Sequence, residues 1–282
     1  MTTAVLDAKT QEFDVADVEY LRHGDKPLLA RVFTPRGAGP YPALVEVHGG
    51  AWCLSDRLTE RLRHEAMASQ GIVSIALDFR SGNQDPYPAS VQDINYAVRW
   101  AKSCARDLKT RPELIGLSGQ SSGGHLAMLV AMRPRDPRYG AIPLPSAPTL
   151  EATVAYIAAR SPISDPYARF QQAERMQRAG MIEATKIYFN PWGTIFEGNP
   201  QQILDRREAV TLVPMLIMQG ALDDNVLPEL QQKFAAAYRA AGGVCELTVF
   251  EDSEHEWVAK PGPQTERARA MVKAFIARQL TA

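Results

Sequence analysis

The order of apolar and amphipathic stretches predicts an α/β protein with a mostly parallel central sheet, helices on both faces and a small helical cap. Three observations carry this expectation. Short apolar runs of strand length alternate with stretches whose apolar residues recur at helical spacing, the order that crossover connections produce in a parallel sheet. Several of those runs end directly in glycine-rich or acidic turns, at the carboxyl ends where such sheets gather their chemistry. Between about Ser164 and Arg207 the alternation stops and no convincing strand is found. All 282 residues are read as one domain, 1–282, with that segment as a cap or lid insertion.

The elements follow in order. Phe13 to Tyr20 and Leu28 to Phe33 are expected as strands around a turn at His23-Gly24-Asp25-Lys26-Pro27. After a Gly/Pro loop, Ala43 to Val47 is a short buried strand that runs into His48-Gly49-Gly50-Ala51-Trp52. Leu58, Leu62 and Met67 mark a helix that Gly71 would stop, and Ile72 to Leu77 is the next strand. Ser90 to Leu108 places Val91, Ile94, Val98, Ala101 and Ala105 on one helical face. The apolar run from Leu114 then meets Gly119-Gln120-Ser121-Ser122-Gly123, with a helix-compatible Leu126 to Val130 behind it. Val154 to Ile157, Leu212 to Gln219 and Val244 to Phe250 are further strands. Leu230, Phe234 and Tyr238 define a helix ended by Gly242-Gly243. Ala268, Met271, Val272, Phe275, Ile276 and Leu280 form the apolar face of a closing one.

Composition narrows the function classes. An apolar share of 45% supports a substantial core, and a net charge of −1 argues against nucleic acid or an anionic membrane as the main partner. No apolar run approaches the ~20 residues of a membrane span. The start, Met1 to Gln11, is polar and carries Asp7 and Lys9, unlike a secretory signal. The three cysteines, Cys53, Cys104 and Cys245, are scattered and fit neither a disulfide framework nor a zinc site. The expectation is a soluble cytoplasmic protein acting on a small molecule, with a homodimer left open.

The turn at Gly119 to Gly123 is a Gly-x-Ser-x-Gly sequence between a strand and a helix. That context suits a serine held in a strained backbone conformation, its hydroxyl exposed above the sheet and a helix N-terminus behind it. Acyl transfer at Ser121 further needs a base, a group that orients the base, and donors for the oxyanion. Of five histidines, His255 lies in a loop after the last strand and completes the order serine, acid, histidine. His125 reads as a packing or local hydrogen-bonding residue and His48 as an organiser of its loop. The turn Gly220-Ala221-Leu222-Asp223-Asp224-Asn225 follows a strand and offers Asp223 or Asp224 as the orienting carboxylate. The missing side chains of the His48-Gly49-Gly50 turn free N–H groups for a ligand oxygen. The amides of Gly50, Ala51 and Ser122 are the expected oxyanion donors. Trp52, Trp192, Phe196 and Trp257 are candidates to wall an apolar or aromatic substrate pocket.

The ordered set His48-Gly49-Gly50-Ala51-Trp52, Gly119-Gln120-Ser121-Ser122-Gly123, Gly220-x-x-Asp223 and His255 resembles the α/β-hydrolase fold from about Leu28 to the C-terminus. Within it the chain is similar to the hormone-sensitive-lipase-like esterases and the carboxylesterase and kynurenine-formamidase-like group. Ser122 to Ala127, and Tyr87-Pro88-Ala89 ahead of Asp93 and Trp100, add to the likeness. The resemblance implies the acid is Asp223, three residues after Gly220, and that His125 is structural. It implies a serine hydrolase cleaving short-chain or aryl esters through an acyl-enzyme on Ser121, with no metal and no organic cofactor. An arylformamidase or other C–N hydrolase with the same triad is the second reading, and a non-catalytic ligand-binding relative the third. Two positions depart from the pattern. Ala51, followed by Trp52, stands in place of a third glycine and favours the formamidase-like branch, and Glu256 stands where glycine often follows the histidine.

Overall fold

The computed structural model of the chain describes residues 11–257 and 260–281, so the polar start from Met1 to Thr10 lies outside the described residues. The strands are β1 (Phe13–His23), β2 (Lys26–Pro35), β3 (Ala43–Val47), β4 (Val73–Leu77), β5 (Ile115–Gln120), β6 (Ile157–Arg160), β7 (Met215–Gly220) and β8 (Cys245–Phe250). They form one eight-stranded sheet in the order β1-β2-β4-β3-β5-β6-β7-β8. β1 and β2 pair antiparallel, as do β2 and β4, and every pairing from β4 through β8 is parallel.

The helices are α1 (Arg61–Ser69), α2 (Ala89–Ser103), α3 (Ser122–Met132), α4 (Pro166–Arg175), α5 (Ala179–Tyr188), α6 (Thr194–Glu197), α7 (Pro200–Asp205), α8 (Pro228–Ala240) and α9 (Pro263–Thr281). Every side chain of β3, β4 and β5 is buried, which explains why these strands read as largely apolar runs rather than alternating ones. Val45, Ile75, Leu117 and Ile217 share one core with Ile94 of α2, Leu126 of α3 and Phe234 of α8. Leu44, Leu216 and Met218 share the opposite core with Met67 of α1 and Phe275 of α9. Helices therefore cover both faces, as expected.

Several boundaries differ from the sequence expectation: β1 runs on to His23, β2 starts at Lys26 and β7 at Met215, and β6 and α2 differ as well. β6 begins at Ile157, where Val154 to Ile157 was expected to hold the strand. Ala155 N–H already reaches Ile115 O at 2.9 Å, but the Tyr156 ring fills the space over Gly116. A methyl group on Gly116 would lie 2.1 Å from that ring, and the regular ladder starts at Ile157, three residues after Val154. α2 stops at Ser103 rather than Leu108, because the chain must turn back to enter β5. It does so through tight turns closed by Leu108 N–H to Cys104 O at 3.1 Å and Thr110 N–H to Ala105 O at 2.9 Å. The stretch from 164 to 207 holds α4 to α7 and no strand among the described residues, between β6 and β7.

Beneath the β5 strand, on the α1 face, lies a buried ionic cluster. Arg63 pairs with Glu46 of β3 and donates to Ser118 Oγ at 3.0 Å. Arg160 of β6 donates to the same hydroxyl at 3.0 Å and pairs with Glu60. Glu46, Arg63, Ser118 and Arg160 are all buried. Burial alone would raise the Glu46 pKa, but the two arginines and His64 outweigh it and hold the carboxyl below its ordinary value. Among the described residues no helix is long and apolar enough to cross a membrane, and the three cysteines are free thiols.

Candidate active site

Ser121 sits between β5 and α3 with φ 53° and ψ −121°, a conformation that L-residues rarely adopt. The neighbouring glycines make this turn possible by what they lack. A methyl group on Gly123 would lie 2.1 Å from Val47 O, and one on Gly119 2.5 Å from Gly123 itself. The turn is fixed by Ser121 N–H to Arg160 O at 3.0 Å, with Ser121 O accepting from His125 N–H and Ile163 N–H, each at 3.1 Å.

The Ser121 hydroxyl meets His255 Nε2 at 3.0 Å, and His255 Nδ1–H donates to Asp223 Oδ2 at 2.8 Å. All three side chains are buried. Asp223 is held on every side. Its Oδ1 accepts from the N–H groups of Asn225 and Val226 at 3.0 and 2.8 Å, and Gln219 Nε2 donates to Oδ2 at 3.0 Å. Burial pushes the Asp223 pKa up, yet the contact with His255 and these donors win and keep it below the ordinary carboxylate value. The spacing Gly220-x-x-Asp223 has a steric cause as well. A methyl group on Gly220 would lie 2.4 Å from Ser253 O, so only glycine lets the loop bearing His255 come this close. Leu222 N–H then donates to Ser253 O at 2.9 Å and ties the acid turn to the base loop.

Across the nucleophile, Gly50, Ala51 and Trp52 carry φ of 99°, 50° and 63° in succession. Gly49 comes close to Ser121, since a methyl group there would lie 3.5 Å from Ser121 Cβ. Among the described residues the amides of Gly50 and Ala51 donate to no protein acceptor. The amide of Ser122 is one of the unpaired donors in the first turn of α3. The loop is pinned by a contact that no motif signals: Trp52 N–H donates to the buried Ser122 Oγ at 3.0 Å. His48 stacks on Phe79 with centroids 4.1 Å apart, in keeping with a loop-organising role.

The four aromatic candidates are not brought together. Trp52 is 2% exposed, stacked on Tyr188 at 5.2 Å, with its Nε1–H donating to His125 Nδ1 at 3.0 Å. A buried indole N–H usually finds an acceptor, and here His125 supplies it. His125 in turn donates from Nε2 to Gly198 O at 2.6 Å, and burial pushes its pKa down to about 4. Trp257 stacks on Phe250 at 4.4 Å inside the core under α9, its buried Nε1–H without an acceptor among the described residues. Trp192 packs on Phe170 at 4.6 Å and Phe196 on Tyr167 at 4.9 Å, both rings partly exposed on the inserted helical segment.

Sequence reasoning also missed two arginines of that segment. Arg169 of α4 donates from Nε and Nη2 to Asn225 Oδ1 at 2.9 and 2.7 Å, and its guanidinium lies 5.7 Å from the centre of the Trp52 ring. Arg178 pairs with Asp224. Nothing in a helical spacing could have indicated contacts to a turn some fifty residues away. Among the described residues no group of His, Cys, Asp and Glu side chains is arranged to hold a metal ion.

A serine on a strained strand-to-helix turn, with acid and histidine following in that order on an eight-stranded, mostly parallel sheet, places the molecule in the α/β-hydrolase class. The chain belongs to the BD-FAE family, whose model matches residues 32–238. It is similar to Esterase LipC of Mycobacterium tuberculosis, 31% identical over 71% of this chain and 49% of LipC. Carboxylic ester hydrolase LipN of the same organism is 35% identical over 41% of this chain and 32% of LipN. The chain spans between 24% and 52% of the length of the curated relatives it matches. Among solved structures it is similar to Thermogutta terrifontis esterase 2 phosphonylated by sarin, with a TM-score of 0.78 at 22% identity over 94% of both chains. The butyrate-bound form of that esterase gives 0.75 at 23% identity, again over 94% of both. At this identity the likeness concerns the fold.

Proposed function

We propose that this protein is a serine hydrolase that cleaves short-chain or aryl carboxylic esters through an acyl-enzyme on Ser121. The carrying observation is the unbroken line from Ser121 Oγ to His255 Nε2, and from His255 Nδ1 to Asp223, at 3.0 and 2.8 Å. In this reading His255 takes the serine proton as the hydroxyl attacks the carbonyl, and Asp223 stabilises the imidazolium that forms. The amides of Gly50, Ala51 and Ser122 receive the oxyanion, each donor of this kind being worth ~3 kcal/mol in the transition state. The alcohol leaves with the proton from His255, and water then releases the acid by the same route. No metal or cofactor enters these steps.

The matched relatives named as esterases support ester cleavage. The formamidase alternative rests on Ala51 and Trp52 in the oxyanion loop, and the relatives named as esterases do not favour it. The segment 164–207 is read as a lid over the site within a single domain, supported by its contacts through Arg169, Arg178 and Gly198 to both sides of the nucleophile. Trp192 and Phe196 are its candidate substrate contacts. The free thiols suit a cytoplasmic location, and a homodimer remains part of the reading, measurable by light scattering.

A fluorophosphonate probe is expected to label the folded protein at Ser121, and purified Ser121→Ala to lose labelling together with hydrolysis of p-nitrophenyl esters by several orders of magnitude. An active Ser121→Ala protein would overturn the assignment. A large preference for N-formylkynurenine over aryl esters would replace it with the C–N reading.

A further inference from the structure

We infer that Arg169, on the inserted helical segment, is a positioning residue for the acid of the proposed triad. The inference rests on the reading of Ser121, His255 and Asp223 as that triad. Arg169 is 2% exposed, and an arginine this deeply buried needs a specific partner. No carboxylate fills that role. Nε and Nη2 instead converge on one neutral acceptor, Asn225 Oδ1, at 2.9 and 2.7 Å. Asn225 is held in turn by its own N–H, which donates to Asp223 Oδ1 at 3.0 Å. A rigid two-pronged donor thus fixes the side chain of the residue whose main chain fixes the acid.

The other side of the guanidinium faces Trp52, 5.7 Å from the ring centre. Trp52 is the residue after Ala51, and its amide is bonded to Ser122 Oγ. At the base of the segment, Ile163 N–H bonds directly to Ser121 O, three residues before α4 begins at Pro166. Arg169 lies within the first turn of that helix, so it spans the gap between the oxyanion loop and the acid turn. A second brace runs outside it from Arg178 to Asp224.

Burial lowers the Arg169 pKa to about 10, opposed by the Asp223 carboxylate, so the side chain stays cationic at neutral pH. The positive charge and the fork together hold Asn225, and through it the orientation of Asp223 toward His255.

The test uses Arg169→Met, which keeps an unbranched stem but loses the fork, Arg169→Lys, Asn225→Ala and the Arg169→Met/Asn225→Ala double variant, assayed on p-nitrophenyl acetate. Each of Arg169→Met and Asn225→Ala is expected to lower kcat by ~10- to 100-fold with KM changed far less, the size expected for a misplaced catalytic group. The double variant should fall little further, since both changes break one link. Arg169→Lys should recover part of kcat through a single N–H···O bond. The far-downfield proton resonance of the His255 Nδ1–H···Asp223 bond should shift or broaden in the two single variants. Additive losses, an unchanged kcat, or an unmoved proton resonance would overturn the inference. So would a rise in KM alone, which would assign substrate to Nη1, the guanidinium nitrogen with no protein acceptor among the described residues. Asn225→Ala leaves Arg169 intact, so the question survives a variant that fails to fold. Wild-type labelling at Ser121 with unchanged variants would sink only this inference. Absent labelling would sink the triad reading beneath it.

Discussion

Replacing Asp223 by Asn changes one heavy atom and should silence the centre. The side chain accepts four hydrogen bonds, two at Oδ1 from the N–H groups of Asn225 and Val226 and two at Oδ2 from Gln219 and His255. An amide has one accepting oxygen and one donating nitrogen. The main-chain donors cannot turn away, whereas the Gln219 and His255 side chains can, so the amide oxygen stays at Oδ1. Its NH₂ then faces His255 Nδ1, which must become an acceptor, and the ring proton moves to Nε2 beside Ser121 Oγ. A histidine protonated there cannot take the serine proton. The expected loss in kcat is ~10⁴-fold, or about 5 kcal/mol of transition-state stabilisation, with KM little altered. Steady-state hydrolysis of p-nitrophenyl acetate measures it. Thermal denaturation checks that the fold persists, with a cost of ~1–3 kcal/mol for the lost charge-assisted bonds. A decrease smaller than about tenfold would refute the assignment of Asp223, because an acid that merely caps its turn would tolerate the amide.

Ser122→Ala removes the acceptor of the Trp52 amide. It should cost ~1–3 kcal/mol in urea unfolding and reduce kcat more than it raises KM. Gly220→Ala places a methyl group 2.4 Å from Ser253 O and should displace the His255 loop, with at least ~100-fold loss of kcat/KM. His125 gives a pH signature. It is buried and neutral, with its pKa lowered from 6.5 to about 4, so between those values the unfolded chain holds a proton that the folded chain refuses. Stability from this residue is complete above 6.5 and is lost as pH falls, about 3 kcal/mol between about pH 7.5 and about pH 4. Urea unfolding of the parent and His125→Gln should show a pH dependence that is shallower by that amount in the variant. Parallel curves would contradict it.

The parts of this molecule set by local chemistry were legible in its sequence. A strand-to-helix turn with small residues at fixed offsets announces itself at Ser121, and a turn of Gly220-x-x-Asp223 after an apolar run does nearly as well. The β3 strand was readable to the residue because both its faces are buried. What escaped depends on partners distant in the chain. β6 was placed early because Val154 and Tyr156 have strand-forming side chains, while the observed ladder runs through Ile-Ala-Ala-Arg, whose last member is charged. Arg160 sits in that strand only because Ser118 and Glu60 await it. Trp52 and Trp257 are amphipathic rings suited equally to a pocket and a core, and only the position of His125 or Phe250 decides between them. Arg169 and Gln219 act by reaching across the fold, which leaves no periodic trace.

The ionic cluster under β5 has a consequence for how the chain finds its form. Glu46 of β3 lies directly beside Ser118 of β5 in the pairing register, and Arg160 of β6 lies beside Gln120. Strand side chains alternate between faces, so a slip of one residue in any of these three strands would send its polar group into the aliphatic layer under α2 and α3. A charge stranded there without its partner costs several kcal/mol, whereas a slipped apolar strand would cost far less. The apolar side chains of this sheet supply the drive to collapse but are nearly interchangeable. The four charges act as an alignment key, making the neighbouring mispairings of the strand that carries Ser121 at its end expensive.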